Sequence, residues 1–340
     1  MKCAISVSGG LGEMIMLLPI FQKFTGKLVL SSHYIELFTL YDFDIIWWNE
    51  KESNTKNIIR ITKELWKINP EIVYGTYPNG RRINMLLTLS PGKKIFCDDG
   101  NYNLKRFISI LKLTPKSLPI KIPFHEKKSY IERNSQILGI NPDIPFDFRE
   151  KEEFREESER FSEKGPFAVI HPTSKYKIKR WDIQKFASVS KKILKEGIRV
   201  VFVLGKEDKQ EFEYLKSDFS KDIESEKVKI IFGSDINKII SFTKRCFFFL
   251  GNDSAVAHIA GISGRKTFVI YGFTRHYHTA PPNSEVISLF LPCSPCYNFA
   301  KGEIAVAREC KVGIACLKNI TEEMVWSRVK SFISGENQRP

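Results

Sequence analysis

The chain lacks any run of ~18 uninterrupted apolar residues, the length a membrane-crossing helix needs. No secretory leader is expected: "MKCAISVS" carries one charge and then a strand-like run, with no long apolar region and no small-residue cleavage site. A cytoplasmic location is therefore expected. Neither G-x-G-x-x-G nor G-K-[ST] occurs at a strand-to-helix turn, which excludes the two commonest nucleotide fingerprints. Internal repeats and low-complexity tracts are absent, which excludes solenoids and long linkers. Acid is in short supply. Lys and Arg number 53 against 39 Asp and Glu, a formal net charge of +14. Such a surface suits anionic partners: nucleic acid, anionic lipid or phosphorylated small molecules. General basicity with no specific role reads the same way.

What remains is a globular mixture, 340 residues with 42% hydrophobic and 27% charged, enough for about two domains. Short apolar runs alternate with helical spacing. In the first half the runs are "CAISVS" (3–8), "KLVLSS" (27–32), "FDIIWW" (43–48), "EIVYGTY" (71–77) and "KKIFCD" (93–98), with helices at 13–24 and 57–68. In the second half they are "FAVIHP" (167–172), "RVVFVLG" (199–205), "KVKIIFG" (227–233), "CFFFLGN" (246–252) and "KTFVIYG" (266–272). Helical stretches fall at about 182–195, 207–217, 235–243 and 254–262. Continuous apolar strands between helices argue for parallel sheets covered on both faces. The chain reads as two Rossmann-like, doubly wound α/β domains, 1–150 and 151–320, with a C-terminal helix and tail over 321–340. A ligand cleft is expected where the carboxyl ends of the strands face each other.

Four constellations stand out. Gly9, Gly10 and Gly12 follow the first strand, and Glu13 opens a helix. Two readings of Glu13 fit: a partner for the helix dipole, or a carboxylate that does chemistry. In "HPTSKYKIKRWD" (171–182), Thr173 and Ser174 precede Lys175, Lys177, Lys179 and Arg180. Hydroxyls and cations after a parallel strand suit a pyrophosphate, and a solvated basic loop reads the same way. In "FFFLGNDSAVAHIAGI" (247–262), Asp253 ends a strand and Ser254 is placed to cap a helix. Small Ala255 leaves that helix N-terminus open to an anion, and His258 lies one turn in. Finally, Cys293-x2-Cys296-x13-Cys310-x5-Cys316 has the look of a structural metal spacing, with a loose last gap. Reduced, packed thiols are the favoured state there, and no catalytic metal is expected. Cys3, Cys97 and Cys246 lie in apolar runs and read as buried thiols.

The ordered set resembles the ADP-heptose:lipopolysaccharide heptosyltransferase family, glycosyltransferase family 9. "SGGLGEMIMLLPI" resembles its N-terminal Gly-Asp segment, and "YPNGRRINMLLTLS" its arginine-bearing segment. "HPTSKYKIKRWDIQKFASV" resembles its donor-phosphate loop, and "GNDSAVAHIAGISGRKTFVIYGFT" its Asp-[Ser/Thr]-Gly-x-x-His signature. "PCSPC" and "CLKNI" resemble its cysteine-bearing tail. The resemblance implies a GT-B fold and an inverting, metal-independent transfer of heptose from ADP-heptose to a lipopolysaccharide-core acceptor. It implies Glu13 as general base where the family usually has Asp. Thr173, Ser174, Lys179, Asp253, Ser254, Ala255 and His258 would hold the donor, with Gly9, Gly10 and Gly12 as cleft backbone. Ala255 stands where the family commonly has Gly, and Phe273 where it commonly has Pro. Peripheral contact with an anionic membrane face is expected, and no nucleic acid, since no nucleic-acid motif or basic strand with interleaved aromatics occurs. The competing expectations are another nucleotide sugar with another glycan acceptor, and a non-catalytic GT-B binding protein.

Overall fold

The computed structural model describes residues 1–7, 9–78, 80–98, 120–123, 128–296 and 310–335. The chain divides into two compact units, Met1–Asp143 and Ile144–Pro340. The division falls before the expected 150/151 boundary, for a packing reason. Phe148 is buried, and Phe146 N–H donates to the Ile262 carbonyl at 2.7 Å. Glu150 then takes ion pairs from Lys244 and Arg245 at 2.7 and 2.5 Å, which holds its carboxyl below the usual range although burial pushes the other way. The 144–150 stretch is thereby part of the second unit. The C-terminal helix Glu322–Ile333 also belongs to that unit, with Val325 and Val329 in its core, so it is not a separate segment. Thr321 caps this helix through Met324 N–H.

The first unit carries β1 (Lys2–Ser6), β2 (Lys27–Ser31), β3 (Ile45–Trp48), β4 (Ile72–Gly75), β5 (Lys93–Asp98) and β6 (Ile120–Pro123). The second carries β7 (Phe167–His171), β8 (Arg199–Leu204), β9 (Val228–Phe232), β10 (Phe248–Asn252), β11 (Lys266–Ile270) and β12 (Ser284–Ile287). The strand orders are β3-β2-β1-β4-β5-β6 and β12-β11-β10-β7-β8-β9, with parallel pairing throughout. Read from β9, the second sheet repeats the order of the first. Both are Rossmann-like, and each reverses direction once: between β1 and β4, and between β7 and β10.

Burial explains the apolar runs. In β10, Phe248 and Leu250 join one core with Phe186, while Phe249 joins the other core with Val256. The same alternation runs through β7, β8 and β11. Side chains of period two enter two different cores, so every position is apolar. Burying one such Phe contributes about 1.5–3 kcal/mol. β6 and β12, which no apolar run announces, are the outer strands of their sheets. An outer strand has a neighbour on one side only, and short polar or Pro-flanked sequences serve there. The helices Arg81–Leu89 and Tyr130–Leu138 likewise go beyond the expected set.

Candidate active site

At the switch point of the second sheet, two loops leave β7 and β10 side by side. Their backbones pack closely: a Cβ on Gly251 would lie 2.8 Å from the His171 carbonyl oxygen. Asn252 is fully buried and ties the loops together. Its Nδ2 donates to the Pro172 carbonyl at 2.8 Å, and its Oδ1 accepts from Trp181 N–H at 2.9 Å. Trp181 is buried in turn, and its indole N–H donates to the Ile320 carbonyl at 2.9 Å. Arg180 folds inward: Nε donates to the Ser174 carbonyl at 2.8 Å, and the guanidinium pairs with Asp208 and Glu211, each at 2.8 Å. A short 3₁₀ turn, Lys177–Lys179, is thus held from both ends.

This frame points Lys179 at Asp253, Nζ to Oδ2 3.1 Å. Ser174 Oγ donates to the Asp253 carbonyl at 3.3 Å. Thr173 is buried, and its Oγ1 has no hydrogen-bond partner among the described residues. Ser254 Oγ and His258 Nδ1 are in the same condition. Ser254 precedes the helix Ala255–Ile262 with extended backbone, and its side chain makes no cap bond, contrary to the expected N-cap role. Its extended backbone, φ −155° and ψ 166°, is of the kind an N-cap residue adopts, and the hydroxyl is buried without taking up that role. His258 is 4% exposed. Burial lowers its pKa to about 4 despite Asp253 nearby, and the Lys179 charge adds to the fall. It is a neutral imidazole at neutral pH. Tyr271, buried beside Asp253, has its phenol pushed well above the ordinary range by burial and then by that carboxylate.

Three of the buried polar atoms without partners among the described residues thus stand around one Lys–Asp pair. A hydroxyl, another hydroxyl, an imidazole and an ammonium at a helix N-terminus suit a phosphate-bearing ligand. The structure thus brings together Thr173, Ser174, Lys179, Asp253, Ser254 and His258, with Ala255 at the helix start. Lys175 and Lys177 are exposed instead. Sequence reasoning passed over Asn252, the Asp208 and Glu211 that turn Arg180 inward, and Tyr271. The signal for Asn252 was a polar residue ending a strand of phenylalanines, which has to find partners when buried.

The first unit's switch point has a different character. Gly9 has φ +130°, where a side chain would be strained, and a Cβ there would meet the Glu13 carboxylate at 1.8 Å. Glu13 Oε2 accepts from Gly10 N–H at 2.7 Å, reaching back to the residue that precedes the helix Leu11–Gln22. Gly12 lies in the first turn of that helix. A Cβ on Gly10 would meet nothing. Tyr34 Oη donates to the Gly9 carbonyl at 2.7 Å. Tyr130 is buried, and its phenol is pushed well up by burial, then by Glu13, Tyr77 and Tyr34. Asn134, fully buried, holds the loop after β4: its Oδ1 accepts from Tyr77 N–H at 2.9 Å, and its Nδ2 donates to the Tyr77 carbonyl at 3.1 Å. Glu13 is therefore a half-exposed carboxylate held by backbone among three tyrosines.

The four C-terminal cysteines line one cavity, together with Ile178 and Phe273. Cys296 and Cys316 have thiols pushed up, Cys316 to about 11, by burial first and then by the neighbouring cysteines. Cys3, Cys97 and Cys246 are buried and in no disulfide, as their apolar runs indicate.

Glycosyltransferase family 9 (heptosyltransferase) matches residues 116–304, more than half of the chain. The chain belongs to glycosyltransferase family 9. Among proteins of known role, it is similar to lipooligosaccharide heptosyltransferase 2 of Campylobacter jejuni, 22% identical over 362 residues, covering 99% of this chain and 100% of that one. Among solved structures, it is similar to a family 9 glycosyltransferase of Veillonella parvula, with a TM-score of 0.72 at 16% identity, covering 98% of this chain and 97% of that one. It is also similar to the ADP-heptose lps heptosyltransferase II of E. coli, TM-score 0.71 at 14% identity, covering 99% and 100%. With two parallel-sheet domains, this family 9 glycosyltransferase has the GT-B fold. None of its helices, among the described residues, is long and apolar enough to cross a membrane.

Proposed function

We propose that this family 9 glycosyltransferase moves a heptose from ADP-heptose to a lipopolysaccharide-core acceptor, with inversion and without a catalytic metal. The observation that carries the reading is the Lys179–Asp253 pair ringed by Thr173 Oγ1, Ser254 Oγ and His258 Nδ1, all buried and without partners among the described residues. A diphosphate supplies acceptors for each donor in that ring. Lys179 has three N–H donors, so one stays on Asp253 while others reach phosphate oxygens. Each charge-assisted bond of this kind is worth about 1.5–3 kcal/mol. As the bond from the anomeric carbon to the diphosphate breaks, negative charge grows on the leaving oxygen, and a fixed ammonium there lowers the barrier. Asp253 aims that ammonium.

Glu13 serves as the base. Its carboxylate takes the acceptor hydroxyl's proton as that oxygen attacks the anomeric carbon, and ADP leaves from the opposite face. The Gly10 N–H on Oε2 fixes the carboxylate without consuming its acceptor capacity, since an ionised carboxylate has about four lone-pair sites. The net charge of +14 favours a phosphorylated acceptor and peripheral contact with an anionic membrane surface. The heptosyltransferase names of the similar proteins support heptose as the sugar.

The test is product formation by the purified chain with ADP-heptose and a deacylated lipopolysaccharide core, read as a gain of one heptose by mass spectrometry. UDP- and GDP-sugars run beside it. Transfer from ADP-heptose is the expected outcome. Turnover with a UDP- or GDP-sugar alone would replace the donor, and nucleotide-sugar binding without any transfer would reduce the chain to a binding protein.

A further inference from the structure

The helix Asn54–Ile68 of the first unit has two faces. Ile58, Ile61 and Leu65 enter the core beside the sheet. On the other side Ile59 and Trp66 stand in solvent, 51% and 61% exposed. Lys56, Lys63 and Lys67 are exposed with them. The order Lys56, Ile59, Lys63, Trp66 steps by three, four and three residues, so all four share one face. No Asp or Glu falls on this stripe. Glu52 and Glu64 flank it and face Arg60 at 3.7 and 3.5 Å. None of the three lysines makes an ion pair among the described residues.

Trp66 is exposed and yet held. Its indole N–H donates to the Leu89 carbonyl at 2.8 Å, at the end of the neighbouring helix Arg81–Leu89. That bond satisfies the ring's one donor and fixes its orientation. The ring can therefore enter an apolar layer without stranding a polar group, and it has little rotamer freedom left to lose.

Three occupants suit a face that is both basic and apolar: a second copy of the chain, a nucleic acid or an anionic bilayer. In a two-fold contact the face meets itself, which sets lysine against lysine. A duplex rewards the cations, but an exposed isoleucine finds no partner on a phosphate backbone. An anionic bilayer takes both kinds of residue. Ammonium groups stay among the headgroups, the indole sits at the interface, and isoleucine reaches the first acyl carbons.

We propose that Lys56, Ile59, Lys63, Trp66 and Lys67 form the surface by which the first unit docks on an anionic lipid bilayer. The helix leaves the end of β3 and returns to the start of β4, so it begins at the sheet edge that also carries the Gly9–Glu13 loop. Docking there would bring the carboxylate loop and a lipid-anchored acceptor to one surface. That consequence rests on the glycosyl-transfer reading, and the docking itself does not.

The test is sedimentation of the full chain with vesicles of phosphatidylcholine and phosphatidylglycerol. Binding is expected with the mixed vesicles, weakening as salt rises, and none with phosphatidylcholine alone. A Lys56→Gln/Lys63→Gln/Lys67→Gln variant is expected to bind ~10–100-fold more weakly. Lys195→Gln/Lys221→Gln/Lys227→Gln removes the same charge from exposed positions of the second unit and is expected to bind within about twofold of wild type. Brominated acyl chains are expected to quench part of the wild-type tryptophan emission, and Trp66→Phe to lose that quenching. Equal losses in the two triple variants would reduce the binding to general basicity and overturn the face. So would failure to bind the anionic vesicles, or emission that brominated chains leave untouched. Duplex DNA binding that the first triple variant abolishes, or a dimer that it dissociates, would give the face to another occupant and overturn the proposal as well. Sugar transfer to a deacylated core in solution needs no bilayer, so that assay and this one fail separately.

Discussion

The two units share one strand order and differ at the point where it reverses. At the second sheet's reversal, the loops after β7 and β10 bring a cation, hydroxyls and an imidazole to the start of a helix. At the first sheet's reversal, the loop after β1 brings a carboxylate held by backbone, with tyrosines around it. One buried asparagine steadies each place: Asn252 in the second unit and Asn134 in the first. The frame is common, and the chemistry is grafted onto it. The difference is one of charge. The second site is built to receive an anion, the first to present one.

That contrast breaks most sharply at Glu13. Glu13→Gln keeps an oxygen for the Gly10 N–H, so the hold on the start of the helix survives. Turnover is expected to fall by ~10²–10⁴, the usual loss when a general base is removed. Affinity for ADP, measured by calorimetry, should stay within about twofold, since the two roles lie on different units. Near-normal turnover in this variant would return Glu13 to a purely capping role.

His258 tests the anion-receiving site through stability. Its pKa is near 6.5 when unfolded and about 4 in the folded chain. The unfolded state therefore binds more protons between these values, and stability rises with pH across that window. The contribution is complete above pH 6.5 and is lost as pH falls toward 4. The loss amounts to about 3 kcal/mol at the acid end. Denaturant unfolding at a series of pH values should show this slope, and His258→Gln should flatten it. An unchanged slope in the variant would assign the acid sensitivity elsewhere. The Tyr130 phenol of the first site, pushed well above the ordinary range by burial, contributes nothing in this window.

Lys179→Ala sharpens the comparison from the other side. KM for the nucleotide sugar should rise ~10–100-fold, the worth of one or two charge-assisted contacts. KM for the acceptor should move little. Equal effects on both substrates would deny the division of labour between the two reversal points.

Much of this architecture was legible in the chain. Ten apolar runs marked ten strands; eight are central and buried on both faces, and the other two, β3 and β9, are outer strands with enough apolar residues to show. The other two outer strands, β6 and β12, were not legible. β12 reads Ser-Glu-Val-Ile and lies half in solvent, so nothing apolar had to be written there. The unit boundary escaped as well. The expected 1–150 domain put Phe146 and Phe148 in the first unit, and only their packing places them in the second.

The candidate site divides in the same way. Residue types and order alone determined the two α/β units, the basic loop, the Asp-Ser-Ala-Val-Ala-His helix start and the family they resemble. These depend on local spacing and on which positions must be apolar. Tertiary structure decided that the Ser254 side chain makes no cap bond, that Glu13 leans on Gly10, that Asn252 joins two loops, and that Cys293, Cys296, Cys310 and Cys316 line one cavity. Each of those depends on where a side chain ends when the strands align, and a distance across a sheet is written nowhere in the order of residues.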